Sequence, residues 1–151
     1  MIPKFEVTTI IQKPVSEVFD AVYNPKKISG YFTTAGASAP LVEGTTVQWE
    51  FADFPGPFPV VVKQTVQNKL LVIEWEASEG GYNTQTEFIF EELNPRETKV
   101  KISETGWKET EKGVISSYQN CQGWAQMASA MKAYLEYGIN LRTGAYKALY
   151  S

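Results

Sequence analysis

Residues 113–138, GVISSYQNCQGWAQMASAMKAYLEYG, decide how the rest of the chain is arranged. At 100° per residue, Tyr118, Cys121, Trp124, Ala125, Met127, Ala128, Met131 and Leu135 fall on one half of a helical cylinder. Ser116, Gln119, Gln122, Gln126 and Ser129 fall mostly on the other half, so the run predicts an amphipathic helix. Gly138 is a left-handed stop, with Ile139 behind it as the apolar residue that often follows. About 24 residues at 1.5 Å each span roughly 36 Å, close to the roughly 40 Å diameter of a compact chain of this length. One helix therefore crosses nearly the whole molecule, and its apolar half must be covered. Its stripe mixes large Trp, Met and Leu with small Cys121, Ala125 and Ala128, and Gly123 sits mid-helix at a cost of roughly 1 kcal/mol relative to Ala. Either another backbone packs close there or space is left over.

Upstream, the sequence supplies a cover. Phe5 to Gln12 reads as a strand with Phe5, Val7, Thr9 and Ile11 on one side, and Pro14 ends it. Ser16 is a candidate N-cap for a short helix to Tyr23, and Asn24-Pro25 opens a second one running to Phe32. Thr33 to Pro40 is small and polar, a loop. Five strand candidates follow without an intervening helix: 46–51, 60–67, 70–77, 84–92 and 98–105. Val47, Trp49 and Phe51 share one face of the first, and Val60, Val62, Gln64 and Val66 one face of the second. Leu71, Ile73 and Trp75 oppose Glu74 and Glu76. Thr84, Thr86, Phe88 and Phe90 lie together, as do Val100, Ile102 and Glu104. The turn Asp53 to Pro59 is stiffened by proline.

Short links make consecutive strands antiparallel neighbours, and the alternation says one sheet face is covered and the other wet. On the wet face, Glu87 and Glu91 are expected across from Lys99 and Lys101. Six strands at about 4.8 Å make a sheet nearly 30 Å wide, which a helix about 10 Å across cannot cover if the sheet is flat. The expected fold is α+β: a curved antiparallel sheet of about six strands wrapped around one long C-terminal helix, with two short helices after the first strand plugging an end. The whole chain, 1–151, reads as one domain.

Composition narrows the chemistry. The chain has 151 residues, 43% of them hydrophobic, and a net charge of −3. That charge and a pI near 5.1 argue against nucleic acid as a partner, where a basic face is expected. No apolar run approaches a membrane span, and no signal peptide is evident, so the expected location is cytoplasmic. Cys121 is the lone cysteine and excludes an internal disulfide. With no histidine, Ser-His-Asp and Cys-His systems and imidazole-based metal sites cannot be built. Asp20 and Asp53 are the only aspartates, and no calcium or phosphate loop occurs. No metal and no cofactor is expected, and catalysis, if any, would rest on Glu, Tyr, Lys or water.

Three stretches carry a resemblance: KPVSEVFDAVYNPKKISGYF (13–32), SETGW (103–107) and GWAQMASAMKAYLEYG (123–138). In this order and spacing the chain resembles the START-like helix-grip (SRPBCC) superfamily. Within it, the chain is most similar to the branch named after the C-terminal domain of the activator of Hsp90 ATPase. Tyr31-Phe32 departs from the Trp-Phe of many relatives, and the tail INLRTGAYKALYS (139–151) runs past the usual end. The resemblance implies a cavity between sheet and long helix, for which Trp49, Trp75, Phe88, Phe90, Ile102, Tyr118, Trp124 and Met131 are the candidate lining; the alternative is that they simply pack the core. Glu104 is the sharpest candidate. If it faces inward, burial would raise its pKa, and it could orient a ligand or act as an acid or base; the alternative is a rim position in water. Trp107 is expected to lid the cavity or to staple its loop to the helix, while Gln64, Thr84 and Thr86 are weaker polar candidates. Three functions follow. The leading one is a binding protein for an apolar or amphipathic small molecule. The second is a chaperone regulator, as the family name suggests, although relatives that stimulate Hsp90 carry a further N-terminal domain. The third is a cyclase- or hydrolase-type enzyme using Glu104. Ligand identity and oligomeric state stay open.

Overall fold

A computed structural model describes residues 1–54 and 56–147. Pro55 and residues 148–151, the last part of the expected tail, lie outside them. The elements run β1 (Phe5–Ile11), α1 (Val15–Tyr23), α2 (Pro25–Ile28), β2 (Gly36–Ala37), β3 (Thr46–Glu50), β4 (Phe58–Val66), β5 (Leu70–Glu76), β6 (Asn83–Asn94), β7 (Glu97–Thr105) and α3 (Glu111–Tyr137). The strands form one antiparallel sheet in the order β1-β7-β6-β5-β4-β3-β2, curled into a half-barrel around α3. Seven strands replace the expected six. The added one, β2, spans two residues in the small polar loop and pairs Gly36 and Ala37 with Glu50 and Trp49. A strand that short has no periodicity to detect.

Local chemistry explains most boundaries. Asn24 caps α2 by accepting from the Lys26 N–H, with Pro25 at the first helical position. The first cap differs from expectation: α1 begins at Val15, and it is the Pro14 carbonyl, not the Ser16 side chain, that accepts from Glu17 and Val18. Thr110 caps α3 by accepting from the Gly113 N–H. At the other end Gly138 takes φ 69°, and its N–H and that of Ile139 close on Tyr134 and Ala133. The far end of α3 is tied to the sheet edge: Lys132 donates to the Ile10 carbonyl at 2.8 Å, and Glu136 accepts from the Gln12 N–H at 2.9 Å. These bonds cover the Ile10 carbonyl of β1 and the Gln12 N–H just past its end, at an edge that would otherwise be open.

Sheet parity holds where the ladder is regular. Thr84, Thr86, Phe88 and Phe90 are all buried, as are Val100, Ile102 and Glu104. It fails on β4, where a register shift between Val62 and Gln64 turns Gln64 to solvent. Glu91 does face Lys99, but Glu87 lies opposite Ser103, and Lys101 faces Ile89 and reaches Glu6 at 3.9 Å.

The long helix is rotated from its expected phase in its first half. Its buried residues are Gly113, Ser116, Ser117, Trp124, Met127, Ala128, Ala130 and Met131. Tyr118 is 64% exposed, Ala125 is exposed and Cys121 is only partly covered. Tyr118, expected to line the cavity, therefore points to solvent. The reason is polar: Ser116 bonds Ser78 and Asn120 donates inward to Glu104. Pairing of these groups outweighs the apolar pattern.

The loop into α3 packs against Gly113, where a Cβ would stand 2.0 Å from the Lys108 carbonyl oxygen. Gly113→Ala is therefore expected to destabilise the protein by about 2 kcal/mol through overpacking. Urea unfolding followed by circular dichroism checks this. A change below about 0.5 kcal/mol would mean the loop gives way freely.

Candidate functional site

Trp49, Phe88, Phe90, Ile102 and Met131 all belong to the buried core. Space opens instead beside α3, toward the β3–β5 end of the sheet, as a cleft of about 710 Å³. Gly123 forms part of its wall, and a Cβ built there meets nothing within 4 Å. Of the two readings of that glycine, the empty one holds.

One side of the cleft is aromatic. Successive ring centroids close a circuit: Phe32 to Phe51 at 4.9 Å, Phe51 to Phe58 at 5.2 Å, Phe58 to Trp75 at 5.7 Å, Trp75 to Trp124 at 5.2 Å and Trp124 back to Phe32 at 5.4 Å. Trp49 backs the circuit edge-on to Phe32 and Trp75. Phe32 comes from the turn after α2, Phe51 and Phe58 from the two sides of the β3–β4 loop, Trp75 from β5 and Trp124 from α3. Amides from α3 (Gln119, Asn120, Gln122 and Gln126) make the other side. An apolar surface with a few placed polar groups is the usual make-up of a small-molecule site.

Glu104 sets the geometry of this wall from behind. It is 0% exposed and does not itself line the cleft. Its Oε1 accepts from Trp124 Nε1 at 2.7 Å, and its Oε2 from Trp75 Nε1 at 3.0 Å and Thr84 Oγ1 at 2.6 Å. Asn120 Nδ2 lies 3.1 and 3.0 Å from the two oxygens. Among the described residues no cation pairs with it. Both indoles and the amide that face the cleft are thus locked to one carboxylate.

These geometries can be set beside known proteins. Residues 12–136 match the family described as Activator of Hsp90 ATPase homolog 1-like protein. The chain belongs to that family. Among solved structures, this family member is similar to the protein SSP2350 from Staphylococcus saprophyticus, with 24% identity, a TM-score of 0.75, and 91% of this chain and 96% of that one covered. It is also similar to the Aha1 dimer from Colwellia psychrerythraea, with 20% identity, a TM-score of 0.73, and 89% and 97% coverage. DynU16, a protein in the dynemicin biosynthetic locus, matches at 22% identity and a TM-score of 0.79 over 93% of this chain and 49% of its own. At such identities the likeness is one of fold, the SRPBCC helix grip. No curated sequence matches the chain.

The structure brings together only part of the site expected from the sequence. Trp75 and Trp124 line the cleft, and Glu104 stands directly behind them. Trp49, Phe88, Phe90, Ile102 and Met131 sit in the core. Trp107 is buried against Phe5, its centroid 5.5 Å away, and staples the loop after β7 instead of lidding the cleft. Phe32, Phe51, Phe58, Asn120 and Arg142 were missed. The crowding of three phenylalanines into residues 51–58 was the available signal for two of them. A second depression, of about 550 Å³, lies between α1 and the β4–β5 turn. Its Lys27 and Asp20 satisfy each other at 2.8 Å, and its lining has no comparable aromatic wall. No helix among the described residues is long and apolar enough to cross a membrane.

Burial pushes the Glu104 carboxyl above its ordinary value of 4.5, while the donors on Thr84, Trp75, Trp124 and Asn120 pull it back part of the way. Its pKa is therefore higher folded than unfolded. Relative to a neutral side chain, wild type keeps its full stability below pH 4.5 and loses it as pH rises to the folded pKa. Subtracting urea-unfolding free energies of Glu104→Gln from wild type between pH 4 and pH 7 should show that decline. A difference that grows with pH would mean the donors outweigh burial.

Proposed function

We propose that the chain holds an apolar or amphipathic small molecule in the cleft beside α3. The observation that carries this reading is the circuit of five aromatic rings facing about 710 Å³ of space, with a glycine left bare in the opposite wall. Phe32 and Trp124 back the circuit from the core, while Phe51, Phe58 and Trp75 are only partly buried; their remaining ring surface is apolar area in water that a bound guest would cover. Glu104 serves here as a positioning group. With no exposure and both oxygens occupied, it offers a substrate no atom to touch, so the geometry favours binding over acid–base catalysis. Native mass spectrometry of the purified protein and displacement of the neutral dye N-phenyl-1-naphthylamine by fatty acids, sterols and aromatic polyketides test this. Absence of both a co-purifying mass and dye binding would remove it.

A second reading draws on the family match alone: regulation of a chaperone ATPase through protein contact. Adding the chain to Hsp90 and measuring ATP turnover tests it, and an unchanged rate ends it.

A further inference from the structure

Arg142 belongs to the segment after α3 and returns across the mouth of the cleft. Its guanidinium carbon stands 4.4 Å from the Phe51 centroid and 5.4 Å from that of Phe32, with the Tyr146 ring at 5.1 Å. Asp53, from the β3–β4 loop, grips it in a fork: Nε donates to Oδ2 at 3.1 Å and Nη2 to Oδ1 at 2.8 Å. The two side chains are only 8% and 9% exposed. Ring faces beside a desolvated carboxylate are what recognise an organic cation. Here the cation in that seat is the chain's own.

The charges around the seat all have one sign. Glu76 is on the cleft wall, Glu104 lies behind the two indoles and Asp53 is at the mouth. Among the described residues, Arg142 is the one cationic side chain in the lining. A negatively charged guest would meet Glu76 on the wall, Glu104 behind it and a guanidinium already neutralised by Asp53. A positively charged guest would meet the same two carboxylates and, once Arg142 yields, the Asp53 carboxylate and rings suited to its head.

We propose that the cleft takes an organic cation with an apolar body, an amine or guanidine derivative, whose charged head occupies the Phe32–Phe51–Asp53 seat that Arg142 fills here. This rests on the cleft's being the binding site and adds the charge of what it binds. Arg142 is then an internal competitor: a guest must bring a cation of its own to take over the fork and the ring faces, or else bind around the strap. Selectivity comes from that exchange, because an apolar body alone gives Asp53 no replacement for the charge it would lose.

Three fluorescent probes separate the outcomes: 9-aminoacridine (cationic at neutral pH), N-phenyl-1-naphthylamine (neutral) and 8-anilinonaphthalene-1-sulfonate (anionic). Each is titrated into the full chain, Arg142→Gln and Asp53→Asn, with thermal melts confirming folding. Removing the competitor in Arg142→Gln should tighten 9-aminoacridine about tenfold, and removing the seat's carboxylate in Asp53→Asn should weaken it about tenfold. Both substitutions break the same ion pair, so opposite signs exclude simple loosening of the strap. The neutral probe should move less than about threefold in either variant, and Arg142→Gln should not tighten the anionic probe. Should Asp53→Asn fail to fold, Phe51→Leu takes its place with the same expected weakening. Tighter binding of all three probes to both variants, or weaker 9-aminoacridine binding to Arg142→Gln, would overturn the proposal. Binding of the neutral probe that 9-aminoacridine cannot displace would overturn the cation alone, and no binding of any probe would overturn the site itself.

Discussion

Glu104→Ala is expected to lower the free energy of unfolding by about 3–5 kcal/mol, with the loss seen in urea unfolding monitored by tryptophan fluorescence. The truncation strands the indole N–H groups of Trp75 and Trp124, the amide of Asn120 and the hydroxyl of Thr84. A buried donor left without an acceptor costs about 1–3 kcal/mol, and water entering from the adjacent cleft offsets part of the sum. Glu104→Gln keeps one carbonyl acceptor and nearly the same volume, so it should cost less, about 1–2 kcal/mol. The order of the two variants matters as much as their size. If alanine proved no worse than glutamine, the carboxylate would be a tolerated burden and not the peg on which the cleft wall hangs.

The second large effect concerns binding. Gly123→Phe should abolish retention of N-phenyl-1-naphthylamine, weakening it about 100-fold, while leaving the fold at least as stable. A Cβ at this position meets open space, and glycine inside a helix costs about 1 kcal/mol relative to alanine. Gly123→Ala is the matched control: it should gain about 0.5–1 kcal/mol of stability and change the affinity by less than threefold. Loss of binding without loss of stability separates an occupied cleft from a damaged fold. Equal affinity for wild type and Gly123→Phe would place the dye elsewhere.

Sequence and structure part company at identifiable places. Alternation in β3, β6 and β7 was legible because each strand has a wet face and a dry face, and it put Trp49, Phe88, Ile102 and Glu104 inward, where they lie. The left-handed stop at Gly138 was legible for the same kind of reason, a local rule with one good residue. The phase of α3 was not. Apolarity chooses a helix face only when the surface opposite is apolar, and the first half of α3 covers a carboxylate and a cleft, so serines and an asparagine turn inward. Inward facing also does not say whether a residue packs or lines a cleft. Trp49 and Trp75 sit on adjoining parts of the same concave face, yet only Trp75 lines the cleft. The five-ring circuit draws on four separate segments, and Arg142 returns from a fifth. No spacing rule in one dimension joins them; the curl of the sheet does.

Most direct for the central claim is a nuclear magnetic resonance titration of the four tryptophan indole N–H signals and the Gly123 amide with N-phenyl-1-naphthylamine. The indoles of Trp75 and Trp124 hydrogen-bond Glu104 at the cleft wall, Trp49 lies behind them, and Trp107 packs at a tilt against Phe5 outside the cleft. A bound guest should shift Trp75, Trp124 and Gly123 together and saturably, move Trp49 less and leave Trp107 in place. Shifts confined to Trp107 or to Asn68 beside α1, or no saturable shift at all, would contradict it.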